Sequence, residues 1–115
     1  MTRDLSAFPA LALLESRLGP ALVAAVVQAF LEDTPDTLRK LQAAGATDRP
    51  GDVAMYAHAI AGSAAEMGLE ALNAAARDLE RIARANPSHI AAHLPNVVAL
   101  CTSGLDSLGR AFADS

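Results

Sequence analysis

The sequence predicts an all-α protein, an antiparallel up-down four-helix bundle with a short extra helix at its N-terminal end. Three observations carry that expectation. Hydrophobic residues make up 52% of the 115 positions while aromatics are only 3%, and alanine is the commonest residue, a balance that suits closely packed helices better than a sheet core. Apolar residues recur at three- and four-residue spacing through four long segments. Short runs of turn formers separate those segments, which favours antiparallel neighbours.

Pro9 suits the first turn of a short helix carrying Leu11, Leu14 and Leu18, and Gly19-Pro20 is its stop. This helix is expected to lie as a lid across one end of the bundle. From residue 20 to about residue 44, Val23, Val27, Phe30, Thr34, Leu38 and Leu41 step by threes and fours along one long helix. Pro35 interrupts its hydrogen-bond ladder, and the unbroken apolar spacing predicts a kink there rather than a break. Residues 45–51 form a polar loop, with Asp52 or a neighbour as the next N-cap.

The third helix runs to Met67 and is closed by Gly68 in a left-handed conformation. The fourth turns Leu69, Leu72, Ala76, Leu79 and Ile82 inward and stops at Asn86-Pro87. The last is predicted to start near Leu94-Pro95, after a turn with Ser88 as its cap. Its seam is Leu94, Val98, Cys101, Leu105, Leu108 and Phe112. The length suits a single domain over residues 1–115.

A formal net charge of -4 and the lack of a Lys/Arg block argue against nucleic acid as a partner and leave proteins. Met1 to Leu5 shows no signal-peptide pattern, and the uncharged run of residues 18–31 is too short to span a membrane, so a cytoplasmic protein is expected. The single cysteine, Cys101, reads as a buried small hydrophobe. His89 and His93 have metal-ligand spacing but no nearby carboxylate or cysteine cluster, and no metal site is assigned. There is no G-x-x-x-x-G-K-[ST] phosphate loop.

Chemistry concentrates in the third helix. Ala54, His58, Ala61, Gly62 and Ala65 share a strip opposite Val53, Tyr56, Ala57, Ile60, Ala64 and Met67, so the imidazole of His58 is expected to stand outside the core among residues too small to hide it. Gly62 costs the helix roughly 1 kcal/mol relative to alanine and provides room beside the ring. Imidazole, with a reference pKa of about 6.5, offers a neutral nucleophile near pH 7. Ser63 has no partner in a recognised triad, and its hydroxyl is expected to bond back to the helix.

His58-x-Ile60-x-Gly62-Ser63-Ala64, followed by Gly68-Leu69, Leu72 and Leu79-Glu80, resembles the signature of histidine-containing phosphotransfer (HPt) domains. Leu18-Gly19 and the Phe30-Leu31-x-x-x-Pro35 run resemble that family's upstream helix. The resemblance implies that His58 is a phosphoryl acceptor in a phosphorelay. It would exchange phosphate with receiver-domain aspartates of a hybrid histidine kinase and a response regulator, as a phosphocarrier without kinase activity. It also implies no intrinsic cofactor, Mg²⁺ held by the partner receiver, and a monomer.

Ala54, Ala61, Gly62 and Ala65 would form the docking surface, and Gly62, Ala61, Ser63, Arg77 and Glu80 would support the histidine. Glu80 is the residue expected to orient the imidazole. The family usually carries a lysine where this chain has Ala61, and Arg77 is the candidate to replace its charge. An alternative reading follows from the same departure: a module that docks receivers with impaired phosphotransfer.

Overall fold

A computed structural model describes residues 4–113; the sequence readings that touch residues 1–3 and 114–115 lie outside the described residues. Five α-helices follow one another: α1 (Pro9–Leu18), α2 (Pro20–Ala46), α3 (Pro50–Met67), α4 (Glu70–Ala85) and α5 (Ile90–Ala111), with a single 3₁₀ turn (Pro87–His89) before the last. Among the described residues there is no strand.

Pro9, Pro20 and Pro50 each occupy the start of a helix, where the missing N–H breaks no bond and the fixed φ is already helical. α2 runs unbroken through Pro35 for 27 residues, about 40 Å at 1.5 Å per residue. It accounts for most of the molecule's 49 Å length. Gly19, at φ 89°, separates α1 from α2. Gly68, at φ 72°, ends α3 as expected, and its N–H returns to the carbonyls of Ala64 and Ala65.

α2 packs on α3 and α5, and α4 packs on the same two helices, which closes a ring of four and agrees with the expected up-down order. α1 lies outside the ring against α2 and α3. A Cβ on Gly68 would come within 2.6 Å of the Ala10 Cβ, so the end of α3 is glycine partly because α1 crosses it so closely. Two apolar clusters fill the interior. One, in the body of the bundle, draws on α2, α3, α4 and α5; the other, under α1, gathers Leu5, Leu11, Val23, Val27, Phe30, Met67, Leu108 and Phe112. Half-buried Leu69 packs against both.

Three boundary expectations need correction. α3 begins at Pro50 with Arg49 as its flanking residue, so Asp52 lies in the first turn and is not the N-cap. α5 begins at Ile90, not near Leu94; buried Ile90 anchors its first turn and Pro95 is carried inside the helix. That proline removes one bond near the helix start, a loss the packing of Ile90 and Val97 offsets. Ser88 makes no cap hydrogen bond. The seam of α5 also shifts: Ile90, Val97, Cys101, Gly104 and Leu108 are buried, while Leu94, Val98 and Leu105 are half-buried beside them. Burial pushes the Cys101 thiol up to about 11, which keeps it protonated and inert. No helix among the described residues is long and apolar enough to cross a membrane.

Candidate functional site

His58 sits at the middle of α3 with its side chain 75% exposed. The ring is nevertheless held. Its Nδ1 lies 3.0 Å from Oε1 of Glu80 on α4, whose side chain is only 21% exposed. The other carboxylate oxygen, Oε2, accepts a hydrogen bond from Arg84 Nη2 at 3.1 Å, one helical turn further along. One carboxylate thus bridges an imidazole and a guanidinium.

An ionised carboxylate only accepts, so Nδ1 carries the proton in the hydrogen bond it shares with Glu80. In a neutral ring that leaves Nε2 with a free lone pair, on the side open to solvent. Burial works to raise the Glu80 pKa, but the hydrogen bonds from His58 and Arg84 outweigh it and hold the carboxyl below the usual range. Glu80 is therefore a carboxylate at neutral pH.

A second cross-link steadies the two helices. Asn73 Nδ2 donates to the backbone carbonyl of Ala61 at 2.8 Å, using the lone pair that the α-helical bond leaves free. Asn73 and Glu80 are two turns apart on α4, and Ala61 and His58 are nearly one turn apart on α3, so the two contacts act as adjacent rungs. Beside them opens a hollow of about 490 Å³ lined by His58, Ala61, Gly62, Ala65, Asn73 and Glu80 together with Arg77, Arg81 and Arg84. Arg81 is paired with Asp78 at 2.7 Å and Arg84 with Glu80. Arg77 makes no hydrogen bond or ion pair among the described residues, which leaves its charge available to the hollow.

The structure gathers six of the sequence-derived site residues at this hollow: His58, Ala61, Gly62, Ala65, Arg77 and Glu80. It separates Ala54 and Ser63 from the hollow. Ala54 is fully buried and belongs to the core, so it is no docking residue. Ala61, although it lines the hollow, is also buried, at 3% exposure. Both are offset from His58 by roughly 40° to 60° around the helix, in the direction of α4, and the close α3–α4 packing turns that shoulder inward. The exposed face around His58 is formed by Met55, Ala59, Gly62, Ala65 and Glu66 instead.

Ser63 points the other way, into a separate hollow against Val26, Ala29 and Phe30 of α2, so it does not support His58. Its hydroxyl makes no hydrogen bond back to the helix among the described residues. At Gly62 an added Cβ would meet nothing within 4 Å, so the space beside His58 is open rather than filled by another part of the chain. Sequence spacing places Asn73, Arg77, Glu80 and Arg84 on one polar face without separating their tasks; the four-residue step from Glu80 to Arg84 and the seven-residue step back to Asn73 were the signal for the two contacts. His89 ends the 3₁₀ turn and His93 is exposed in the first turn of α5. No group of three His, Cys, Asp or Glu among the described residues is placed to hold a metal.

The family model of the Hpt domain matches residues 25–110, which takes in α3, α4 and the whole of the hollow. No curated protein and no solved structure gives a match.

Proposed function

Because the chain belongs to the Hpt-domain family, whose members serve histidine phosphotransfer in two-component signalling, we propose that His58 is the residue that carries the phosphoryl group. The observation that supports this most is the asymmetry of the ring: Nδ1 is engaged by Glu80 while the imidazole is three-quarters exposed. In this reading the Nε2 lone pair attacks the phosphorus of an aspartyl phosphate on a receiver domain. The N–P bond forms as the P–O bond to the aspartate breaks, and the aspartate leaves as a carboxylate. The ring becomes a cation that keeps its Nδ1 proton, and the Glu80 carboxylate stabilises it through the same hydrogen bond. Donation to a second receiver is the reverse.

The chain's own work is then positioning and charge. Gly62 leaves room for the incoming group, and Arg77 supplies the cation that the usual lysine, here Ala61, does not. Mg²⁺ belongs to the receiver. Ala59, Gly62 and Ala65, which let a partner approach closely, form the docking face. The partners are the receiver domains of a hybrid histidine kinase and of a response regulator, and the relay operates in the cytoplasm with this chain as a monomeric carrier rather than a kinase.

The test is transfer from phosphorylated receiver domains to the wild type and to His58→Gln. An acid-labile, base-stable label on the wild type alone is expected; equal labelling of the variant overturns the assignment. Ala61 favours a second reading, in which receivers dock but transfer is slow. Ala61→Lys, with its ammonium reaching into the hollow from a buried backbone position, distinguishes them in a protein whose thermal midpoint is kept: a phosphohistidine lifetime lengthened roughly two- to fivefold, the scale of a solvated charge pair, marks a missing charge, and no change marks Arg77 as sufficient or charge there as unimportant.

A further inference from the structure

Three arginines line the hollow, but only one touches the carboxylate that holds His58. Arg81 is engaged by Asp78, and Arg77 makes no bond to Glu80 although it lies three residues away. Arg84 places Nη2 at 3.1 Å from Oε2 of Glu80, and the same carboxylate presents Oε1 at 3.0 Å from Nδ1 of His58. A carboxylate with both oxygens occupied has its plane fixed. A carboxylate holding only the imidazole rotates about its terminal bond, and the ring it holds turns with it.

We infer that Arg84 is a positioning residue: by holding Oε2 it aims Oε1 at the Nδ1–H of His58 and so keeps the imidazole in the tautomer that leaves Nε2 free. The effect runs through Glu80, as the partners behind a metal-ligating histidine fix its tautomer and orientation. A histidine released from such a partner samples both tautomers, and the one protonated on Nε2 has no lone pair there with which to attack. The consequence for transfer rests on the reading of His58 as the phosphoryl carrier; the consequence for the tautomer does not.

The experiment uses the unphosphorylated, ¹⁵N-labelled chain and reads the tautomer of the neutral His58 ring by NMR, alongside transfer from a phosphorylated receiver. The wild type is expected to be predominantly protonated on Nδ1. In Arg84→Met, which keeps an unbranched stem on an exposed position, both tautomers appear and transfer slows roughly two- to fivefold, the scale of a surface ion pair. Arg84→Lys restores most of both, and the thermal midpoint of each variant stays near that of the wild type. An unchanged tautomer in Arg84→Met overturns the inference, as does failure of the lysine to restore it. A shifted tautomer in a protein that accepts no phosphate in any form upholds the positioning role and removes the phosphocarrier reading instead.

Discussion

The two apolar clusters of this bundle are built on opposite plans. The cluster in the body, beside His58, includes Ala44, Ala54, Ala57, Ala61, Ala64, Ala76 and Ala83 among its buried residues. The cluster under α1 has no buried alanine and relies on leucine, valine, phenylalanine and methionine. Small side chains let helix axes approach to the short end of the usual 8–10 Å range. That approach brings Glu80 within reach of Nδ1 and Asn73 within reach of the Ala61 carbonyl. The end cluster fixes α1 and the ends of the long helices but holds no polar contact to the site. Volume cannot be added to the first, and it cannot be removed from the second.

Removing volume at the end should give the largest loss of stability. Leu11 is wholly buried, and Leu11→Ala is expected to cost about 2–5 kcal/mol. Measured by denaturant unfolding, this loss should come with unchanged phosphate acceptance while the protein remains folded. Adding volume at the body reverses the pattern. Ala76→Leu should cost about 1–3 kcal/mol, yet it should slow transfer more than Leu11→Ala does, because it forces α4 away from α3. Equal effects of the two variants on transfer would remove the distinction between the clusters.

Gly62→Ala sharpens the comparison from the surface. Open space surrounds the position, so the variant should gain up to about 1 kcal/mol in stability from helix propensity. Transfer should fall at the same time, since the added methyl occupies room meant for the partner. The smallest effect belongs to Glu80. Its folded-state carboxyl lies below the ordinary value of 4.5, so the stabilisation from its bonds to His58 and Arg84 is present in full above that pH and is lost as the pH falls below it. Wild type and Glu80→Gln should therefore differ in stability at pH 6 and converge as the pH falls through the lowered pKa of the folded carboxyl, below 4.5.

Much of this was legible in the sequence because single residues carried it. Gly68 announced the end of α3 as a residue suited to a left-handed φ, the apolar steps of α2 ran through Pro35, and the family resemblance placed Glu80 where it could orient His58. The start of α5 was not legible, since Pro95 reads locally as a helix start while the burial of Ile90, a tertiary effect, extends the helix upstream. Ala54 and Ala61 misled for a related reason. A helical strip tells which residues share a face with His58, but how far α4 wraps around α3 is set by the packing of both helices. Asn73 gave only a polar face, because its partner on α3 depends on the register between helices; Arg84 stands one turn after Glu80 on the same helix, so the four-residue step was a local signal for their contact.

The most direct measurement is to phosphorylate the chain through a receiver domain and locate the phosphorus on the imidazole by ¹H–³¹P correlation NMR. The geometry predicts a single adduct, on Nε2 of His58, with Nδ1 still protonated toward Glu80. Phosphorus on Nδ1, or on His89 or His93, would contradict it.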